Sequence, residues 1–214
     1  MRPRTTGLAV LALAFAGSAW GQSWNRNYSR HQIWGGLGTA LPGQDLKPYY
    51  KPALAWSAGY GYRPLKFLQL DVGYDGAYNS ADVRAYQDSG YGPLRIRDFQ
   101  VFVPFGGRVI APLAGGRLEI HGGGGGAYAR YSEMLQQPGD WVSIGCPSCQ
   151  ARDGWGYYAL LAGNIALDPG RHLRLGVTTR VYRIDTAGPR IGSLPYVRSS
   201  DQWVNTCATL TFSF

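Results

Sequence analysis

Apolar and polar side chains take turns at every second position through most of the chain, and helical spacing is almost absent. A period of two is strand periodicity, with successive side chains on opposite faces. The alternation predicts eight strands: Gln32–Leu41, Ala53–Tyr62, Phe67–Tyr78, Asp98–Ile110, Arg117–Tyr131, Trp155–Leu167, His172–Ile184 and Gln202–Phe214. In the second, Leu54, Trp56, Ala58, Tyr60 and Tyr62 share a face. In the third, Leu68, Leu70, Val72 and Tyr74 stand opposite Asp71 and Asp75. In the fourth, Phe99, Val101, Val103 and Phe105 stand opposite Asp98 and Arg108. In the seventh, Leu173, Leu175, Val177 and Val181 stand opposite Arg174 and Arg180.

The connections sort by length. "RPLK" (Arg63–Lys66), "APLAGG" (Ala111–Gly116) and "DPGR" (Asp168–Arg171) are tight, with the Pro and Gly that turns use. Between them lie the long polar segments Pro42–Pro52, Asn79–Arg97, Ser132–Gly154 and Asp185–Asp201. With the N-terminus at the near side, every short turn falls on that side and every long loop on the other. That asymmetry belongs to transmembrane β-barrels.

The faces agree with this reading. A water-soluble barrel hides its apolar side chains inside. Here the less apolar face carries Asp71, Asp75, Asp98, Arg108, Arg117, Glu119, His121, Arg174 and Arg180. An Arg or Lys facing mid-bilayer lipid costs about 2–4 kcal/mol, so these groups are expected inside, paired as an interior polar network. Aromatics near the segment ends, among them Tyr60, Tyr62, Phe67, Tyr74, Tyr78, Tyr128, Tyr131, Trp155, Tyr157, Trp203, Phe212 and Phe214, are expected to form interfacial girdles. The fold class expected is all-β: an eight-stranded antiparallel up-and-down transmembrane β-barrel with short periplasmic turns and long extracellular loops.

The alternating segments, the sorted connections and the ending "TLTFSF" resemble small outer-membrane barrel proteins of the OmpA/OmpX type. The resemblance is one of pattern and covers nearly all of the chain after its first residues. It implies that Leu210, Phe212 and Phe214 form the signal read by the barrel-assembly machinery. It also implies an outer membrane of the Gram-negative type as the location.

The N-terminus fits export. Arg2 and Arg4 precede an apolar run, Leu8–Ala16, too short to span a bilayer comfortably. Ala19-Trp20-Gly21 then suits a cleavage site, so residues 1–21 are expected to be a removed signal peptide and 22–214 the barrel domain. The chain has 21 Lys and Arg against 13 Asp and Glu, and losing two arginines leaves a net charge of +6. In an exported protein that basic balance points to anionic lipid and lipopolysaccharide, with no nucleic acid partner. Export also favours a local disulfide between Cys146 and Cys149 of "CPSC". A zinc site would need further ligands, and no metal or cofactor is expected. Cys207 sits in the last strand, where a buried free thiol is expected.

"HGGGGGAYAR" (His121–Arg130) lacks the helix and the Lys-Ser/Thr of a phosphate loop. Glycines inside a strand more often allow close approach. His121 shares a face with Glu119, the one arrangement that a lipid A-modifying enzyme could use, but no serine stands convincingly beside it. The long loops offer Arg84, Tyr86, Tyr91, Trp141, Arg190, Tyr196 and Arg198, residue types that dominate binding surfaces. The expected role is structural or interactive, in a monomer with a mostly plugged polar interior that meets a surface ligand or protein partner. A narrow solute channel is the alternative and an enzyme the minor one.

Overall fold

The computed structural model describes residues 28–43, 46–81, 86–89, 92–136, 143–145, 150–190 and 197–214. Ten strands appear in chain order: β1 (His31–Pro42), β2 (Ala53–Leu65), β3 (Leu68–Tyr78), β4 (Tyr86–Ser89), β5 (Gly92–Leu113), β6 (Leu118–Gln136), β7 (Ser143–Gly145), β8 (Ala151–Ala166), β9 (Leu173–Gly188) and β10 (Val197–Ser213). Eight of them form the wall in the order β1-β2-β3-β5-β6-β8-β9-β10, every pair antiparallel. The last pairs with the first, from Gln32↔Ser213 to Pro42↔Trp203, which closes the barrel and removes both sheet edges.

Strands β4 and β7 are short additions at the long-loop end, paired with the far ends of β5 and β6. There the strands also run past the apolar alternation. β5 begins at Gly92 and β6 ends at Gln136, inside stretches that the sequence pattern leaves as loop. The physical reason is that ladder bonds need no apolar face, so pairing continues where neither side has to avoid water.

The expected faces are those observed. Leu54, Leu70, Val72, Phe105, Ile120, Leu161, Leu175, Val177, Leu210 and Phe212 lie exposed on the outer wall, while the positions between them are buried inside. The aromatic positions split. Tyr60, Tyr62, Phe67, Tyr74, Trp155, Tyr157, Phe212 and Phe214 face outward, but Tyr131 and Trp203 are buried and turned inward, because each falls on the inner parity of its strand. These two are core, not girdle.

Two local features follow from single residues. In β5, Pro104 has no N–H to donate. The β3–β5 ladder skips from Val72↔Phe105 to Asp75↔Phe102 at that point, with the proline ring packed against Gly73. On β2, Gly59 faces the lumen beneath the Trp34 indole, where an added Cβ would lie 2.2 Å from the ring. The missing side chain is what lets a tryptophan lie flat inside so narrow a barrel.

The short-turn end is tied down by its own backbone. Asp168 accepts from the N–H groups of Leu173 (2.7 Å) and His172 (3.1 Å), which hold its carboxyl below the usual value. Arg171 lies in the left-handed region, and its guanidinium rests on Gly116 of the neighbouring turn.

Candidate functional site in the barrel interior and mouth

An eight-stranded barrel has an interior just wide enough for side chains to fill, so inward residues on facing walls must touch. They do so in three tiers.

At the short-turn end lies an ionic tier centred on Glu119 of β6. Arg63 Nη2 donates to Glu119 Oε2 at 3.0 Å, Arg174 Nη2 lies 3.2 Å from Oε1, and His121 Nε2 is 3.2 Å from Oε2. Arg63 also reaches Gln69 through Nε (3.0 Å), and Gln69 donates to Asp71 (2.6 Å). Arg108 pairs with Asp71 and contacts His121 Nδ1, which closes a ring of polar groups. Asn164 approaches His121 at 3.4 Å.

The middle tier spans the lumen. Arg180 on β9 donates to Asp75 on β3, the opposite wall, at 2.7 Å, and to Ser57 of β2 at 2.9 Å. Tyr182 donates to the same carboxylate at 2.7 Å. Trp34 lies between the tiers, its ring centroid 5.0 Å from Arg108 Cζ and 5.8 Å from Arg180 Cζ, within cation–π range.

The third tier, toward the long loops, is aromatic. Phe102 stacks on Tyr182 (4.7 Å between centroids), and Trp203 Nε1 donates to the Tyr131 hydroxyl at 2.9 Å. Five inward alanines, Ala40, Ala55, Ala77, Ala127 and Ala129, make room for these rings in the same core cluster. The segment between β1 and β2 turns back into this end. Its Leu46 and Tyr50 are buried, with the Tyr50 ring 5.1 Å edge-on from Trp203. Lys51 N donates to Ser80 O at 2.7 Å and holds the segment to the neighbouring loop. Burial, then the carboxylates of Asp98 and Asp201, push the Tyr50 hydroxyl well above its ordinary value.

Of the residues expected in the interior network, Asp71, Asp75, Arg108, Glu119, His121, Arg174 and Arg180 lie in the first two tiers. Asp98 is buried at the mouth, where Ser80 and the Ala81 N–H bind its carboxylate. Arg117 is a correction: it is exposed, because it ends the turn before β6, where its backbone N–H bonds Ala114 O. The expectation of a polar interior is also too broad, since the outer tier is rings and alanines. Sequence reasoning placed Arg63 in a turn, although it continues the inward parity of Ala55, Ser57, Gly59 and Gly61. Tyr50, Arg152 and Asp201 were also missed. Tyr86, Arg190 and Arg198 are exposed, while Arg84, Tyr91, Trp141, Tyr196, Cys146 and Cys149 lie outside the described residues. Cys207 is a buried free thiol. Among the described residues no group of three His, Cys, Asp or Glu converges to hold a metal.

The outer wall near the loops carries a mixed belt. Trp155 and Tyr157 are 62% and 64% exposed. Arg183 pairs in register with Tyr157, and its Nε donates to the Ser200 hydroxyl at 3.0 Å. Arg130 lies opposite Asp153.

Arg180→Met should cost about 3–5 kcal/mol of unfolding free energy in urea titrations in lipid vesicles, because it strands the buried Asp75 carboxylate. Arg180→Met with Asp75→Leu should recover most of that loss. A single-variant cost under about 1 kcal/mol, the range of a solvated pair, would contradict a tightly filled lumen.

No family model matches the chain, and no curated protein matches it in sequence. Solved structures do match in shape. Neisserial surface protein A superimposes with a TM-score of 0.52 at 11% identity, over 86% of this chain and 97% of that one. The outer membrane protein OprG from Pseudomonas aeruginosa gives a TM-score of 0.55 at 12% identity, over 88% and 97%. The chain thus has the fold of the small outer-membrane β-barrels, closed, eight-stranded, antiparallel and up-and-down.

Proposed function

We propose that this protein is a monomeric outer-membrane barrel that does not conduct and that acts through its extracellular end. The observation that carries the reading is the crossed lumen. Arg180 joins opposite walls, Glu119 gathers two arginines, and Leu46 and Tyr50 sit in the mouth. A continuous water path would have to break buried ion pairs, each expensive to separate in a low dielectric. One chain closes its own sheet, which supports a monomer. The shape of its neighbours and its apolar outer wall support an outer-membrane location. Outward Leu210, Phe212 and Phe214 are the handle we assign to the barrel-assembly machinery. An enzymatic role has little support, since His121 is engaged with Glu119, Arg108 and Asn164 behind the wall, away from any lipid substrate.

In planar bilayers the purified protein should give no discrete conductance steps. Reproducible steps would overturn the closed-lumen reading in favour of a narrow channel.

The partner we assign to the outer belt is lipopolysaccharide. Exposed Trp155 and Tyr157 suit the interface between acyl chains and sugars, and Arg130 and Arg183 suit its phosphates. Native mass spectrometry from detergent should show lipopolysaccharide retained. Arg130→Gln with Arg183→Gln should lower the retained fraction several-fold, about what losing two charge-assisted contacts implies. Equal retention by the variant would contradict the assignment.

A further inference from the structure

The mouth holds more negative charge than it neutralises. Asp98, Asp201 and Glu133 all act on the Tyr50 hydroxyl, and the one cation acting beside them is Arg152. Arg152 Nη2 donates to the hydroxyls of Thr186 (2.7 Å) and Ser199 (3.0 Å). Asp201 accepts from Thr186 at 2.7 Å through Oδ2, while its Oδ1 is buried without a hydrogen-bond partner.

A second observation points the same way. Gln100 is 0% exposed and faces the lumen in register with Tyr131, yet neither atom of its amide is bonded. The Tyr50 hydroxyl is likewise buried and unbonded. Buried polar groups are nearly always paired, so a cluster of unpaired ones calls for an explanation. The ring of Tyr50 is well placed against Trp203 and Tyr131, but its polar end is not served.

We propose that the mouth is a binding site for a small organic cation bearing a ring, an arylalkylammonium, and that the loop side chain Tyr50 occupies its place in this structure. The ring of such a ligand takes the slot against Trp203 and Tyr131. Its ammonium donates to Asp201 Oδ1 and the Gln100 carbonyl, and the excess carboxylate charge neutralises it. Aromatic faces favour cations as well. The lack of three converging metal ligands among the described residues turns the site toward an organic cation. Access requires only that the segment carrying Leu46 and Tyr50 lift from the mouth, with no strand broken. The proposal goes beyond the closed-barrel reading. A barrel with or without this site gives the same conductance record, so the two tests fail separately.

The test is calorimetric titration of the full-length protein in detergent with tyramine and with its neutral analogue N-acetyltyramine. Tyr50→Ala should bind tyramine at least about tenfold more tightly than the unaltered chain, because the competing ring is gone. Adding Asp201→Asn should remove about tenfold of that affinity, and N-acetyltyramine should be weaker by a similar factor, as loss of a charge-assisted hydrogen bond implies. Should Tyr50→Ala fail to fold, judged by heat-modifiable gel mobility, Leu46→Ala loosens the same segment and carries the same expectation. Absence of saturable tyramine binding in the folded variant overturns the proposal. Equal affinity for the two compounds overturns it too, since the slot would then be merely apolar.

Discussion

Arg180 and Asp75 meet across the full width of the barrel, and most of the interior is arranged around that span. Eight strands enclose a lumen about as wide as two side chains. A charge placed there cannot be hydrated, so it has to be answered by a partner on another wall. The answering groups come from strands far apart in sequence. Arg63 and Glu119 are separated by 56 residues, Arg180 and Asp75 by 105. Each pair is therefore satisfied only when the wall is closed in one register. A slip of one position would turn the whole set of charges to the lipid side. The ionic tiers do less for stability than for specificity, since a buried pair roughly breaks even against an apolar one.

The aromatic tier solves a different problem. Toward the long loops the inward positions shrink to alanine at Ala40, Ala55, Ala77, Ala127 and Ala129, and the space is taken by rings from β5, β6, β9 and β10. Leu46 and Tyr50 then enter from a loop. The wall is held by ladder hydrogen bonds around its circumference, whereas this cap is held by packing and a few backbone bonds such as Lys51 to Ser80. Local opening is drawn from the least tightly held parts of a structure. The mouth is that part here, and the charge imbalance beneath it is where a visiting ligand has most to gain.

Much of this was legible in the chain. The strands around Leu70-Asp71-Val72 and Leu175-Gly176-Val177 advertise their two faces because lipid and lumen make opposite demands on neighbours. Turn chemistry at "RPLK" and "DPGR" marks the short end. Illegible were features that depend on which walls face each other. Nothing near Arg63 in sequence says that Glu119 waits for it. Nothing near Tyr131 or Trp203 separates an aromatic of the core from one of a girdle, except strand parity carried to the strand's last residue. The extensions of β5 and β6 escaped because pairing outside the bilayer leaves no apolar signature. Tyr50 escaped because a loop residue reads as surface until the fold brings it home.

The central claim, a lipid-facing outer wall around a filled interior, is tested most directly on β9. Single cysteines at each position from Leu175 to Ile184, in a background without the native cysteines, would carry a nitroxide in lipid vesicles. Collision with oxygen and with a water-soluble nickel chelate would then be measured at each site. The account predicts a period of two: Leu175, Val177, Val181 and Arg183 strongly accessible to oxygen or, toward the outer interface, to the chelate, and Thr178, Arg180, Tyr182 and Ile184 shielded from both. Access of the chelate to Thr178, Arg180 and Tyr182 would mean a water-filled lumen and would contradict the account.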